Sequence, residues 1–429
     1  MDRPAMGASR FPKVTRRTWL LAVLACIAVF LFTDKSKDTL CIHNVFIYDV
    51  IVLPHNCDAL SLADRLLQAQ TFYTEFHNWK GRPVYHAYGM VAGHALVPVA
   101  FPLWAALYPG ARAKNQLRKF SVAFNFHLAY FLLNIGVVVA CVWVAIRISG
   151  VAIASWPAVG LAAAIASTDL VEGGVWLLHT NIFNLVSAFG TLLFVVLGMQ
   201  RTIIGRGAVL AGGFLIGLGA LVYPAIAIAA PGYVCGRVIG RFRVENDRRS
   251  LMEEALELLA FAAVAAAPVI AWWGANRLFF ETGTYLTVDK GHFSWAPLAF
   301  KEGKLVEQIA AHWEWFFGLL MKFSAAEYLL GLGSILLLSL RGGLAGLKDL
   351  ATDPVVWAAL IAMAGVLSFN FLQGYHAARL MVAAAYLPYV IVARLSRSES
   401  RRAIGTACLF VIAGYQMVDA LTSVTVTGD

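Results

Sequence analysis

Residues 120–146 read FSVAFNFHLAYFLLNIGVVVACVWVAI, an apolar run that contains no Asp, Glu, Lys or Arg. The run exceeds the ~20 residues that a transmembrane helix needs. Comparable runs recur along the chain, in which 60% of the 429 residues are hydrophobic and 14% are charged. The runs are continuous rather than alternating, which argues against a membrane β-barrel. The sequence therefore predicts an all-α polytopic membrane protein, a single transmembrane domain over residues 1–429 with about 11 helices (10 to 12).

Short basic clusters between the apolar runs indicate how the chain is threaded through the membrane. Cytoplasmic loops are enriched in Lys and Arg, so the net charge of +9 is interpreted as a topology signal and not as nucleic-acid binding. The N-terminal cations precede the apolar run WLLAVLACIAVFLF, and no small-residue cleavage site follows it. We therefore expect an uncleaved first span and a cytoplasmic N-terminus, in a bacterial inner membrane.

If each basic cluster lies on the cytoplasmic side, the apolar runs between the clusters cross the membrane in alternating directions, which gives a series of predicted spans. The segment 208–238 is long for one span and is divided into two short ones at Tyr223 and Pro224, because proline removes a helical hydrogen bond. The predicted spans are residues 18–32, 120–146, 152–166, 175–197, 208–238 as two short spans, 258–273, 328–340, 355–372, 380–393 and 403–421.

Two long external loops are expected, at residues 34–119 and 274–315. The first is the largest polar interruption in the chain, and we expect it to contain interfacial helices. Its apolar segment 91–108 is expected to lie along the outer surface, with a further membrane crossing as the alternative. Cys41 and Cys57 fall in this loop on the outer side, where an oxidising compartment permits a disulfide.

Carboxylates in two of the external breaks are candidates for acid-base chemistry. A carboxylate can act as a general base that deprotonates an acceptor hydroxyl. Asp58 is the first choice for this base, and Asp49 is the second, because its apolar setting FIYDVIV can raise its pKa. Asp169 and Glu172 occupy the second break, STDLVEGG, which is predicted to face the same compartment.

Cationic and aromatic side chains beside the apolar runs are candidates for binding a phosphate group. Arginine and lysine neutralise the negative charge that develops on a leaving phosphate. Arg379 is the first choice, and Lys304 and Arg277 are weaker ones. The neighbouring candidates in these breaks are Tyr375, His376 and His179. No metal-ligand spacing stands out, so no metal site is predicted.

Four stretches taken together resemble the GT-C class of membrane glycosyltransferases, which use polyprenyl-phosphate-linked sugars. The first is the opening span with its long external loop containing aspartates. The others are STDLVEGGVWLLHTNIFNLVSAFGTLLF, AGGFLIGLGALVYPAIAIAAPGYV and FLQGYHAARLMVAAAYLPYVIVAR. They are similar to that family's second acidic loop, its glycine-rich helix followed by a short break, and its late arginine-bearing loop.

The resemblance implies a site on the periplasmic or extracellular side. It makes Asp58 or Asp49 the first-loop acid, Asp169 or Glu172 the second-loop acid, and Arg379 a ligand of the lipid-linked phosphate. The implied donor is a polyprenyl-phosphate sugar, and the implied acceptor is a cell-envelope glycan or lipid. The first loop has no adjacent Asp-Glu or DxD pair, which leaves the identity of the base and the need for a divalent metal open.

Two other functions compete with this expectation. The chain could be a transporter or flippase for a lipid-linked or small polar solute, or a noncatalytic subunit of an envelope-assembly complex. A transporter needs polar groups along a path through the midplane, whereas an enzyme gathers them at one face. The predicted spans are almost free of charge in their middles, and this favours the enzyme. In each case the lipid bilayer is the first partner.

Overall fold

The chain folds into a bundle of helices with one small β-hairpin. A computed structural model describes residues 14–32, 42–47, 51–56, 82–107, 116–168, 170–171, 175, 180–200, 206–243, 251–279, 293–374 and 378–422. The helices are α1 (Arg16–Phe32), α2 (Pro83–Leu107), α3 (Gln116–Ser149), α4 (Trp156–Ala166), α5 (Phe183–Met199), α6 (Arg206–Val222), α7 (Ala229–Arg243), α8 (Leu251–Phe279), α9 (Trp295–Lys301), α10 (Leu305–Arg341), α11 (Gly343–Thr352), α12 (Pro354–Gln373), α13 (Ala378–Ala385), α14 (Leu387–Leu395) and α15 (Glu399–Thr422). The strands are β1 (Ile42–Ile47) and β2 (Ile51–Asn56).

Several of these helices have the length and composition of membrane spans. Five described segments qualify, namely Leu128–Ser149, Thr180–Met199, Leu251–Leu278, Leu305–Arg341 and Pro354–Gln373. Three shorter apolar segments are Trp156–Ala166, Arg206–Val222 and Leu380–Leu395. The expectation of a helical protein able to cross a membrane is confirmed, whereas the count of about 11 spans stays a prediction.

Both ends of the predicted second external loop, residues 274–315, are helical in the structure, and the boundaries of the loop stay a prediction. Helix α8 continues to Phe279, and α10 already begins at Leu305. The 37 residues of α10 correspond to ~55 Å at ~1.5 Å per residue, which exceeds the ~30 Å hydrocarbon core. The first turns of α10 carry polar residues, which explains why the sequence places them in the loop.

The segment predicted as the first external loop, residues 34–119, contains both strands and a helix. Strands β1 and β2, which were not predicted, pair antiparallel from Ile42 opposite Asn56 to Ile47 opposite Ile51. Helix α2 replaces the shorter predicted helix at 91–108, and its first turns pack against the middle of α3. The Tyr130 hydroxyl donates to the Tyr85 carbonyl oxygen at 3.0 Å. Cys41 and Cys57 lie outside the described residues.

The predicted break at Tyr223 and Pro224 is confirmed. Helix α6 ends at Val222, a 3-10 turn runs over Pro224–Ile228, and α7 follows directly. The Tyr223 hydroxyl donates to the Asn184 side-chain oxygen at 2.8 Å and so ties the break to the first turn of α5. A second break separates α13 from α14, where Pro388 occupies the first turn of α14.

Basic residues from distant parts of the chain meet at one end of the bundle, here called the basic end and defined by Arg147, Arg394, Arg397 and Arg401. Arg394 Nε lies 2.7 Å from the Asp353 carboxylate, which also caps the N-terminus of α12. Gly150 ends α3 in the left-handed region (φ 69°), and a side chain there would meet the guanidinium groups of Arg394 and Arg397. The start of α1 joins this end through Val14 N–H, which donates to the Ala154 carbonyl oxygen at 3.2 Å.

Glycine contacts hold the two short helices α6 and α7 against two long ones. The backbone of α7 at Gly236 lies against the Val195 carbonyl of α5, and the backbone of α6 at Gly217 lies against the Ala265 carbonyl of α8. A side chain at either glycine would overlap those carbonyl oxygens. Small residues let helices approach closely, and such contacts drive helix association in membranes.

We expect Gly236→Ala to lower the midpoint of thermal unfolding in detergent. The added methyl group would collide with the Val195 carbonyl, and overpacking of this kind costs about 1–3 kcal/mol. The matched control is Gly333→Ala in α10, where nothing lies within 4 Å of the added carbon. Alanine there should stabilise the helix by about 0.5–1 kcal/mol. Equal shifts in the two variants would contradict this account of the packing.

Candidate functional site

The end of the bundle opposite the basic end is lined by aromatic residues, and we call it the aromatic end. Helix α3 connects the two ends, because Ser149 lies at the basic end and Asn134 lies four turns earlier. The Asn134 side chain donates to the Val175 carbonyl oxygen at 3.2 Å. Residues near Val175 therefore lie at the aromatic end, at ~22 Å from Ser149 along the helix axis.

A cluster of tyrosines, here called the tyrosine cluster, occupies one side of the aromatic end. Tyr85 stacks against Tyr130 with ring centroids 4.5 Å apart and meets Phe183 edge-on at 5.8 Å. The Arg82 guanidinium lies 5.6 Å from the centre of the Tyr223 ring. These residues come from α2, α3, α5, the α6–α7 break and the residue before α2. The cluster thus gathers four separate segments at one place.

A second group, here called the tryptophan cluster, lies where α9 and α10 meet the end of α12. Trp295 faces the His312 ring at 4.2 Å and the Phe371 ring at 5.7 Å, and Trp313 lies 6.1 Å from Phe371. The Trp295 ring N–H donates to the Leu372 carbonyl oxygen at 3.0 Å. These rings form an apolar surface with an imidazole at its edge.

Gly374 ends α12 against the tryptophan cluster. Its φ of 71° favours glycine, and a side chain there would approach Trp295 Cδ1 to 2.5 Å. Helix α13 begins four residues later at Ala378. The short connection between the two helices therefore starts beside the tryptophan cluster.

Most of the predicted site residues fall outside the part of the chain that the structure describes. These are Asp49, Asp58, Asp169, Glu172, His179, Tyr375 and His376. The described neighbours of Asp169, Glu172 and His179 are buried: Thr168 and Thr180 are fully enclosed, and the Val175 carbonyl oxygen accepts from Asn134. The second acidic break is therefore flanked on both sides by residues packed at the aromatic end.

Arg379 lies in the first turn of α13, and only its backbone is described. The first turn of a helix exposes unpaired N–H groups and the positive end of the helix dipole. A cation is unfavourable there unless an anion is close. This position is therefore suited to binding an anionic group such as phosphate.

The other two predicted cations make local contacts. Arg277, in the last turn of α8, lies with its guanidinium 4.4 Å from the centre of the Trp273 ring. The Lys304 ammonium, just before α10, lies 4.0 Å from the Glu302 carboxylate, and both side chains are more than half exposed. Neither of these contacts brings the cation to the tyrosine or the tryptophan cluster.

Sequence reasoning missed Glu327. This residue is only 7% exposed, and it lies in α10 equally far, 14 residues, from Trp313 and from Arg341. It stands directly before the predicted span 328–340 and was not among the candidate residues. The apolar residues on both sides of it in LLMKFSAAEYLLGLGSILLL were the available signal. Glu327 lies inside the candidate span Leu305–Arg341, which is longer than the predicted span 328–340.

The described residues contain no group of three or more His, Cys, Asp and Glu side chains placed to hold a metal ion. The predicted acids Asp49, Asp58, Asp169 and Glu172 lie outside those residues. Metal dependence therefore stays open, as the sequence left it.

The chain matches no protein-family model, no curated protein and no solved structure. The resemblance to GT-C glycosyltransferases thus rests on the sequence stretches quoted above.

Proposed function

We propose that this protein is an integral membrane glycosyltransferase that transfers a sugar from a polyprenyl-phosphate donor to a cell-envelope glycan or lipid. The observation that supports it is the polarity of the bundle. Basic side chains gather at one end of the bundle. The helices next to the second acidic break terminate at the other end, and so does α12, which precedes Arg379. By the positive-inside rule the basic end is cytoplasmic, and the site then faces the periplasmic or extracellular side.

In the proposed mechanism, carboxylates of the acidic loops act on the acceptor and the sugar, and the cation at the start of α13 acts on the phosphate. Asp58, or Asp49 in its place, removes the proton from the acceptor hydroxyl. Asp169 and Glu172 hold the acceptor or the sugar by accepting hydrogen bonds. Arg379, at the N-terminus of α13, binds the lipid-linked phosphate and stabilises the negative charge that grows as the sugar leaves.

The aromatic end offers surfaces of the kind that such substrates need. Rings with polar edges, such as those of Trp295 and His312, can pack against the apolar face of a sugar or a prenyl chain. Trp313 and Trp315 are about half exposed on the first turns of α10. Tryptophan is enriched at membrane interfaces, where the phosphate of a lipid-linked donor lies.

The direct test is sugar transfer by the purified protein in liposomes that contain synthetic polyprenyl-phosphate sugars. We expect the wild type to turn over at least one donor. Asp58→Ala and Asp169→Ala should each lower the rate, with loss of the general base costing about 100- to 10,000-fold. The control is Glu302→Ala, an exposed carboxylate outside both acidic loops. Unchanged rates in both aspartate variants would defeat the residue assignments.

One observation favours a transporter as a second candidate. Ionisable residues inside membrane spans usually mark ion or substrate pathways, and Glu327 is buried halfway along the long helix α10. Solute uptake by the same liposomes separates the two functions. Transport without sugar transfer would move the assignment to this class, and neither activity would favour a noncatalytic subunit.

A further inference from the structure

Two guanidinium groups converge over Gly150 at the basic end. Gly150 follows the last turn of α3, and its φ of 69° lies in the left-handed region. The point where a Cβ of residue 150 would lie is 3.0 Å from Arg394 Nη1 and 3.2 Å from Arg397 Nη1. The two nitrogen atoms are therefore at most about 6 Å apart. Two cations this close repel each other unless an anion neutralises them.

The carboxylates at this end neutralise only one of the two cations. Asp353 lies 2.7 Å from Arg394 Nε, and Asp349 lies 2.8 Å from Arg401 Nη2. Arg397 is exposed, and no ion pair or side-chain hydrogen bond joins its guanidinium to a described residue. The negative end of the α3 dipole offsets part of the repulsion. All the N–H donors of the Arg397 guanidinium are nevertheless available to a ligand.

An exposed apolar stripe of α3, here called the α3 stripe, leads to this pair of cations. Its members are Leu132, Ile135, Val139 and Trp143. They are three or four residues apart and so share one face of the helix. The exposed Arg147 and Gly150 continue the same series, and the Arg147 guanidinium lies 5.6 Å from the centre of the Trp143 ring. The stripe belongs to the candidate span Leu128–Ser149, so a matching ligand has an apolar tail and an anionic head.

We propose that Arg394 and Arg397 bind the phosphate of an anionic phospholipid beside Gly150, with an acyl chain of that lipid along the α3 stripe. Phosphate oxygens accept charge-assisted hydrogen bonds from guanidinium groups, and the negative charge removes the repulsion between the two cations. Basic pockets between membrane helices on the cytoplasmic side bind anionic headgroups, and the positive-inside rule assigns the basic end to that side. The site is separate from the proposed sugar transfer at the aromatic end and does not depend on it.

The test is lipid binding by the purified full-length protein in detergent, measured by native mass spectrometry. The probes are phosphatidylglycerol, which is anionic, and phosphatidylcholine, which is zwitterionic, with the same acyl chains. We expect the wild type to bind phosphatidylglycerol about tenfold more tightly. Arg397→Gln should weaken that binding about five- to tenfold and leave phosphatidylcholine binding unchanged. The matched control is Arg341→Gln, which removes an exposed cation at the end of α10 and should change neither affinity.

Gly150→Asn tests the site without a change of charge. Asparagine tolerates the left-handed conformation, and its side chain would occupy the place of the phosphate, so phosphatidylglycerol binding should weaken as in Arg397→Gln. Thermal unfolding of each variant without lipid confirms that the compared proteins are folded.

Three results would overturn the proposal. The first is equal affinity of the wild type for the two lipids. The second is an equal loss of phosphatidylglycerol binding in Arg397→Gln and Arg341→Gln, which would indicate a general effect of charge. The third is complete displacement of phosphatidylglycerol by excess inorganic phosphate, which would make free phosphate the ligand of the site. Retention of the lipid in excess phosphate would support a site for the whole phospholipid.

Discussion

Replacement of Arg379 by alanine is expected to lower sugar transfer by about 100- to 1,000-fold, the usual effect of removing one donor that stabilises a developing negative charge. The loss should appear in kcat more than in KM, because the phosphate gains charge as the sugar departs. Steady-state transfer from a synthetic polyprenyl-phosphate sugar measures both constants.

Two further variants separate a specific role from a general loss of positive charge. Arg379→Lys keeps the charge but not the forked guanidinium, so it should recover part of the rate. Lys348→Ala removes an exposed cation from α11 at the opposite end of the bundle and should leave the rate near that of the wild type. Equal losses in Arg379→Ala and Lys348→Ala would contradict a phosphate-binding role for Arg379.

Glu254→Leu is expected to destabilise the protein by about 3–5 kcal/mol, because it removes a buried carboxylate that neutralises both Arg237 and Arg241. Arg237 of α7 is 2% exposed and Glu254 of α8 is 6% exposed. Arg237 Nη2 lies 3.2 Å from the Glu257 carboxylate, and Arg237 Nε lies 3.7 Å from the Glu254 carboxylate. Arg241 also donates a hydrogen bond to the Glu254 carboxylate. Thermal unfolding in a fixed detergent measures the loss.

The exposed neighbour Glu253 provides the control, since Glu253→Ala should change stability by no more than about 0.5 kcal/mol. The double variant Arg237→Leu and Glu254→Leu should recover part of the loss, because it removes both buried charges together. A double variant less stable than Glu254→Leu alone would show that the ion pair is not the source of the effect.

The sequence predicted those features that depend on local composition. Helix α12, Pro354–Gln373, nearly coincides with the predicted span 355–372, because an apolar run with a proline at its start and a glycine after its end defines a helix by itself. The break at Tyr223 and Pro224 was predicted for the same reason. The meeting of the Arg147, Arg341 and Arg394 segments at one end also agrees with the topology inferred from their charge.

Features that depend on tertiary contacts were not predicted. The start of α10 at Leu305 lies in a polar stretch, and only its packing on α9 and α12 reveals that the helix extends so far. The burial of Glu327 depends in the same way on packing against α14, which follows it by 60 residues or more. Of the candidate site, the described part contains the helix ends and aromatic clusters, while the predicted acids lie outside it.

The glycine contacts of α6 and α7 bear on how this protein enters the bilayer. Helices of 17 and 15 residues are short for an independent crossing, which takes ~20 residues, and α7 also carries the buried Arg237. Each has its backbone against a long neighbour, α5 or α8, through a site that only glycine fits. Insertion of α5 and α8 should therefore come first during biosynthesis, with the short pair recruited afterwards onto surfaces already in place.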